Sequence, residues 1–247
     1  MNILESILLG VIQGITEWLP ISSSGHLVIF QQFLNIEVPL FFDILLHFAT
    51  LIVILIVFHK DILKILKEFP STKKPNGKLG WYIIIGSVPI ALTGFLLRDQ
   101  IASLFTSLKA VAIALLFTSL LLFLSERFPG RRKLKWYDSI VIGISQALAL
   151  VPGISRSGST ISTGLLLGLE KRQVATFSFL LVIPAILGAT ILEFSTASIE
   201  FNYIYGFLTA IIVGYFSLKL LLKIIVKNKF HYFGWYCLIL GIVLLII

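Results

Sequence analysis

"LPISSSGH" at residues 19–26 and "VPGISRSGST" at residues 151–160 each fall in the middle of a long apolar stretch. The first breaks the run Ile3–Leu34 and the second breaks the run Tyr137–Leu169. Proline, glycine and clustered hydroxyl residues interrupt a helix, so each stretch becomes two half-length helices around a polar loop. Neither half is long enough to cross about 30 Å of hydrocarbon. Non-helical backbone at membrane depth is tolerated only where protein buries it or where it lines a cavity. Both stretches are therefore expected to be re-entrant helical hairpins.

The rest of the chain calls for lipid as its solvent. Of 247 residues, 57% are hydrophobic and only 13% are charged, with a mean hydropathy of +1.00. A water-soluble domain carries about 25% charged residues. The N-terminus has neither a basic segment nor a small-residue cleavage site, so no signal peptide is expected. Cys237 is the single cysteine, which excludes an internal disulfide and a metal site built on several thiolates. A net charge of +8 raises nucleic acid as a partner, but the basic residues lie in short loops between apolar runs, the pattern of loops facing anionic lipid.

Six runs read as full spans: Pro39–Phe58, Trp81–Leu97, Ala110–Leu124, Val174–Leu192, Tyr203–Leu222 and Tyr232–Ile247. Loops 59–80, 125–136, 170–173 and 219–231 hold 17 of the 20 Lys and Arg residues, which puts them on the cytoplasmic side. The opposite loops carry Glu37, Asp99, Glu193 and Glu200 against Arg98 and Lys109. A full crossing by the second broken stretch, which lies among these loops, would scramble this partition. Both termini then lie outside, with the first hairpin entering from outside and the second from the cytoplasm.

The two halves also match each other at one constant offset: Gly10 with Gly143, Gln13 with Gln146, Ser22 with Ser155, Ser24 with Ser157 and Gly25 with Gly158. Because the hairpins enter from opposite faces, the repeats are inverted, and sites in such folds form where the broken helices meet. The expected fold is an all-α polytopic membrane protein in one domain, residues 1–247, with an inverted-topology repeat (about 1–125 and about 136–247). It has six full transmembrane helices plus two re-entrant hairpins.

The polar residues of the hairpins suggest chemistry. Gln13 and Glu17, four residues apart, share a helix face inside an apolar segment. An intramembrane carboxylate is costly and faces a cavity or a partner, as a metal ligand or a base. Ser22, Ser23, Ser24 and Gly25 present hydroxyls and amides at a helix start, an anion-binding arrangement, with His26 beside them as a base, acid or nucleophile. Arg156 is the only basic residue in either hairpin, and its planar fork suits phosphate. Gly153, Ser155, Ser157, Ser159 and Thr160 surround it with further donors at a helix N-terminus. The bland alternatives are helix caps and an Arg156–Glu17 pair made for packing. Asp43 and His47 share a face within a span, as supporting groups or as a polar helix contact. Gly86, Gly94 and Gly188 read as helix-packing positions. No nucleotide-binding, HExxH or CxxC motif is present.

An acid, a histidine, hydroxyls and an arginine within apolar walls suit a phosphoanhydride carried on a long apolar tail. Arg156 and the amides would hold the transferring phosphate, while Glu17 activates His26, Ser23 or water. "QGITEWLPISSSGH" resembles the [E/Q]xxxE motif and following Ser/His segment of the undecaprenyl-diphosphate phosphatases, the bacitracin-resistance family. "PGISRSGST" resembles that family's PGxSRSxxT signature. The resemblance covers essentially the whole chain. It implies hydrolysis of undecaprenyl diphosphate to the monophosphate and inorganic phosphate, recycling of the cell-wall lipid carrier, and bacitracin resistance. It also implies Mg²⁺ or Ca²⁺ dependence and a site open to the outer face of the plasma or inner membrane. By motif it carries Gln13 and Glu17 over as the acidic-motif and metal positions, His26 as the histidine, Arg156 as the signature arginine, and Ser155 and Thr160 as its hydroxyls. Many members have Glu where this chain has Gln13, which leaves Glu17 as the main charged candidate. The partners expected are a polyprenyl diphosphate lipid and membrane lipids, with a homodimer as a compatible assembly and no nucleic acid. A lipid-phosphate transporter and a non-catalytic scaffold are the competing readings.

Overall fold

The computed structural model describes residues 1–126, 130–193, 200–226 and 230–247. Arg127, Lys227 and Lys229 of the basic loops lie outside these residues, as does the segment 194–199 of an outer loop. Among the described residues there are twelve helices and no strand, only an isolated bridge between Arg132 and Leu169.

Each broken stretch is two helices around a polar loop. The first gives α1 (Ile3–Thr16) and α2 (Ser23–Phe33), and the second gives α8 (Trp136–Leu148) and α9 (Arg156–Leu166). The hydroxyl residues act as stops and starts. Ser22 caps α2 by accepting from the Gly25 amide at 3.2 Å, and Ser155 caps α9 by accepting from the Gly158 amide at 3.1 Å. These caps occupy matching positions in the two halves and satisfy otherwise orphaned amides where water is scarce.

The remaining helices are α3 (Leu40–Val57), α4 (His59–Glu68), α5 (Pro75–Leu96), α6 (Arg98–Leu104), α7 (Leu108–Ser125), α10 (Lys171–Glu193), α11 (Tyr203–Val226) and α12 (His231–Ile246). Four helices are long and apolar enough to cross a membrane: α5, α7, α10 and α11. The pair α3 and α4, bent by 77°, makes a fifth candidate. At 16 residues α12 is shorter than a usual span.

Two details differ from the sequence expectation. Residues 59–68, expected as loop, form α4, in which no side chain is buried. "HKDILKILKE" alternates Lys with Ile and Leu at helical spacing, the pattern of a helix lying in the interface rather than crossing it. A Cβ built on Gly188 would meet nothing, so that glycine is not a close-packing position.

The first helices of the two hairpins pack alike. Helix α1 lies on α11, and α8, its counterpart in the second half, lies on α5. Both crossings are made through glycines: Gly10 meets the backbone of Gly206, and Gly143 meets the backbone of Gly86. Helices in lipid gain stability from close van der Waals contact, which a bare backbone permits. Helix α3 contacts α10, and α7 contacts α12. Large apolar side chains such as Phe95 (77% exposed) and Ile191 (73% exposed) point outwards, as lipid-facing surface does. On the basic side, Arg132 donates to both Asp138 carboxylate oxygens at 2.7 and 2.8 Å and to the Leu167 carbonyl at 2.9 Å. These hydrogen bonds hold the Arg132 guanidinium above its ordinary pKa and pin the loop ahead of α8.

Candidate active site

The loops of the two hairpins meet. The Ser22 hydroxyl accepts from the Gly153 amide at 3.0 Å, and Ser157 donates to the Trp18 carbonyl at 3.0 Å. Gly153 has φ of 100°, open to glycine, and a Cβ on it would also stand 2.7 Å from that of Ala114. Ser22 itself sits at φ 69°, a conformation that costs energy in a non-glycine residue. Two amide donors on its hydroxyl help hold it there. Thr118 of α7 braces the other loop: its hydroxyl accepts from the Ser155 amide and donates to the Gly153 carbonyl, each at 3.0 Å.

Glu17 is buried at the C-terminal end of α1, and its carboxylate is the hub of the site. Oε2 accepts from Gln13 Nε2 at 3.0 Å and from the Ser23 hydroxyl at 2.6 Å. Oε1 accepts from Arg156 Nη2, joining the hairpins in an ion pair. His47 Nε2 of α3 stands 3.6 Å from Oε2, and its Nδ1 lies 2.8 Å from the Asp43 carbonyl. Gln31 donates to the Asp43 carboxylate at 2.8 Å, which ties α2 to α3.

These groups open on a cavity of about 200 Å³. Glu17, Ser22, Ser23, Ser24, Ser155 and Arg156 line it, with Asp43, His47 and Gln146. Ile90, Leu150, Val182 and Ile186 give it apolar walls from α5, α10 and the loop after α8. Glu17 and Arg156 are thus together at one cavity, as the sequence anticipates. Ser157 and Thr160 serve the frame. Thr160 donates to the Arg156 carbonyl at 2.8 Å and lies 2.5 Å from the Ser178 hydroxyl. Gly25 packs on Gly153, where a Cβ would come within 3.0 Å of its Cα.

His26 is buried but is not among the cavity's lining residues. Its Nδ1 lies 2.7 Å from the Ser22 carbonyl and its Nε2 lies 2.7 Å from the Tyr236 hydroxyl, with the two rings stacked at 5.6 Å. With Nδ1–H given to a carbonyl, a neutral ring accepts from Tyr236 at Nε2. Both nitrogens are therefore engaged in holding the Ser22 turn and α12.

Among the described residues no group of three His, Cys, Asp or Glu is placed to hold a metal ion. Gln13 Oε1, however, is buried without a partner while its amide nitrogen binds Glu17. A carboxylate beside a free amide oxygen suits a hard cation that takes few protein ligands and completes its shell with phosphate oxygens.

Sequence reasoning underrated three participants. Thr118 is a lone brace in an apolar run, and Tyr236 is one of many aromatics at a membrane boundary. Only the tertiary fold distinguishes them from lipid-facing neighbours. Gln146 had a signal, its match with Gln13.

Comparison with known proteins shows the family. The family model described as Bacitracin resistance protein BacA matches residues 6–243. Among similar proteins, the undecaprenyl-diphosphatase of Carboxydothermus hydrogenoformans is 43% identical over 100% of this chain and 98% of its own. That of Methanosphaera stadtmanae is 39% identical over 100% and 98%. Undecaprenyl-diphosphatase 1 of Bacillus licheniformis is 38% identical over 99% and 97%. With a match over nearly its whole length and both hairpin motifs gathered at one cavity, the chain belongs to the BacA bacitracin-resistance family.

Proposed function

We propose that this protein is a membrane-embedded undecaprenyl-diphosphate phosphatase. It hydrolyses the lipid diphosphate to undecaprenyl phosphate and inorganic phosphate, returns the carrier to cell-wall synthesis, and confers bacitracin resistance. The observation that carries this reading is the Glu17–Arg156 pair, which joins the two hairpins at a cavity that also holds Ser23. A carboxylate and a guanidinium in an apolar wall are costly unless they serve a charged ligand.

The chemistry follows from the contacts. Arg156, with the hydroxyls and amides around it, holds the phosphate oxygens and the charge that develops on them. Glu17 takes the proton of the Ser23 hydroxyl, which already donates to it at 2.6 Å. The Ser23 oxygen attacks the terminal phosphorus, and the bond from that phosphorus to the bridging oxygen breaks. Undecaprenyl phosphate leaves with the proton that Glu17 gives to its departing oxygen. The freed Glu17 carboxylate then takes a proton from water as the water oxygen attacks phosphorus, and passes it to the Ser23 oxygen as the phosphoserine bond breaks and inorganic phosphate is released. Ser23 is preferred to His26 as nucleophile because it lines the cavity and touches Glu17, while His26 acts by holding the turn. Glu17 and Gln13 Oε1 would hold Mg²⁺ or Ca²⁺, which supplies charge neutralisation of the diphosphate when bound.

The same reading takes the chain as an inverted repeat of six spans and two re-entrant hairpins, both termini external and the site open outwards. Matched glycine crossings and the charge partition support it. Helix α12, about 24 Å long at about 1.5 Å per residue, spans with the help of local bilayer thinning and interfacial aromatics such as Tyr232 and Trp235.

The deciding experiment is phosphate release from a C15 or C55 prenyl diphosphate by the purified protein in detergent, with and without chelator. Release abolished by chelator is expected. Specific lipid binding without any release would point to a transporter instead.

A further inference from the structure

Gln146 is fully buried, and neither Nε2 nor Oε1 of its side chain has a hydrogen-bond partner. A buried amide left unsatisfied is destabilising, so it persists where something else uses it. Gln146 lines the cavity that also holds Glu17, Ser23 and Arg156.

The repeat explains how it came to be free. Gln13, its counterpart in the first hairpin, spends its Nε2 on Glu17, one helical turn further on. The position matching Glu17 in the second hairpin is Leu150, which also lines the cavity. Helix α8 therefore presents the same amide donor with no acid beside it. The exchange continues at the next helix start, where Ser23 of the first hairpin is matched by Arg156 of the second. One hairpin thus offers a carboxylate and a hydroxyl, the groups of the attacking side. The other offers a guanidinium and an unpartnered amide, the groups of an anion-holding side.

We propose that Gln146 is a substrate-binding residue whose Nε2 donates to a phosphate oxygen of the prenyl diphosphate head group, beside Arg156. This rests on the phosphatase reading for the identity of the lipid. Being uncharged, the amide adds directionality without a second fixed positive charge, which would slow release of the anionic products. A purely structural glutamine would be hydrogen-bonded within the fold; this one gains its partner only when an anion fills the cavity.

The test separates binding from hydrolysis and from stability. Full-length wild type, Gln146→Leu and Gln146→Glu are compared in detergent with farnesyl diphosphate as the probe and farnesol as the tail-only control. Affinity is read from the ligand-induced shift in Tm, and KM and kcat are read from phosphate release. Gln146→Leu should weaken farnesyl diphosphate binding and raise KM about tenfold, as expected for loss of one hydrogen bond to a charged group. It should change kcat less, leave farnesol binding unaltered, and keep or raise the ligand-free Tm. Gln146→Glu should bind the diphosphate more weakly still. An unchanged affinity in Gln146→Leu, equal weakening of farnesol and the diphosphate, or a lowered Tm or failure to fold would overturn the proposal. Wild type that binds the diphosphate through Gln146 but releases no phosphate would sink the enzymatic reading and leave the binding role standing.

Discussion

Glu17 is buried and Arg156 half-buried, and each compensates the other's charge. Removing Arg156 leaves the Glu17 carboxylate buried without its cation, and removing either takes a group from the proposed reaction. Glu17→Ala and Arg156→Ala should each lower phosphate release by at least about 100-fold. Near-normal turnover in either would discard its role. Ser23 and His26 divide differently. A phosphoenzyme trapped by rapid quench should carry its label on Ser23, and label on His26 would reverse the assignment. Thr118 tests the scaffold alone. Thr118→Val keeps the shape but leaves the Ser155 amide and the Gly153 carbonyl without a partner. It should cost about 1–3 kcal/mol, seen as a lowered Tm. An unaltered Tm would mean that the brace is not holding the loop. Glu17, Arg156 and the serines were legible in the sequence because polar residues in an apolar run must answer to something. Thr118 was not, because a single hydroxyl can satisfy itself on its own helix without any tertiary partner. The retreat of His26 from the cavity was equally hidden, since it depends on Tyr236, far along the chain in α12.

At the scale of helices, the breaks were readable and the lengths were not. Proline, glycine and serine mark the starts of α2 and α9 directly, because a cap is a local event. Helix α4 escaped notice because its basic residues suggested a loop, whereas its Ile and Leu spacing needed only an interface to fold against. What decides how α1 and α8 sit is the absence of a side chain. A Cβ on Gly10 would collide with the backbone of Gly206, which cannot rotate away, whereas a Cβ on Gly188 would meet nothing. The same substitution should therefore have opposite signs at the two sites. Gly10→Ala should destabilise by about 1–3 kcal/mol through overpacking. Gly188→Ala should be neutral or stabilise by up to about 1 kcal/mol through helix propensity. Equal effects on Tm at both positions would remove the glycine crossing as the determinant of packing.

For the molecule as a whole, charge decides which way the frame faces. Seventeen of 20 basic residues fall in loops that must share a side if both hairpins turn back. Each such charge gains about 1 kcal/mol beside an anionic leaflet. The reverse orientation would move that whole set away from the anionic surface. A full crossing by the second hairpin, which lies among these loops, would divide it between the two faces. Lys74, at the start of α5, and Glu200, just before α11, are both exposed and lie on opposite sides of this scheme. With Cys237 first replaced by serine, Lys74→Cys or Glu200→Cys supplies a single thiol. A membrane-impermeant thiol reagent added to intact cells should label the second variant and leave the first untouched until the membrane is opened. Labelling of Lys74→Cys from outside would invert the orientation. Labelling of both from one side would require the second hairpin, which lies between them in the chain, to be a true crossing, and would overturn the proposed inverted topology.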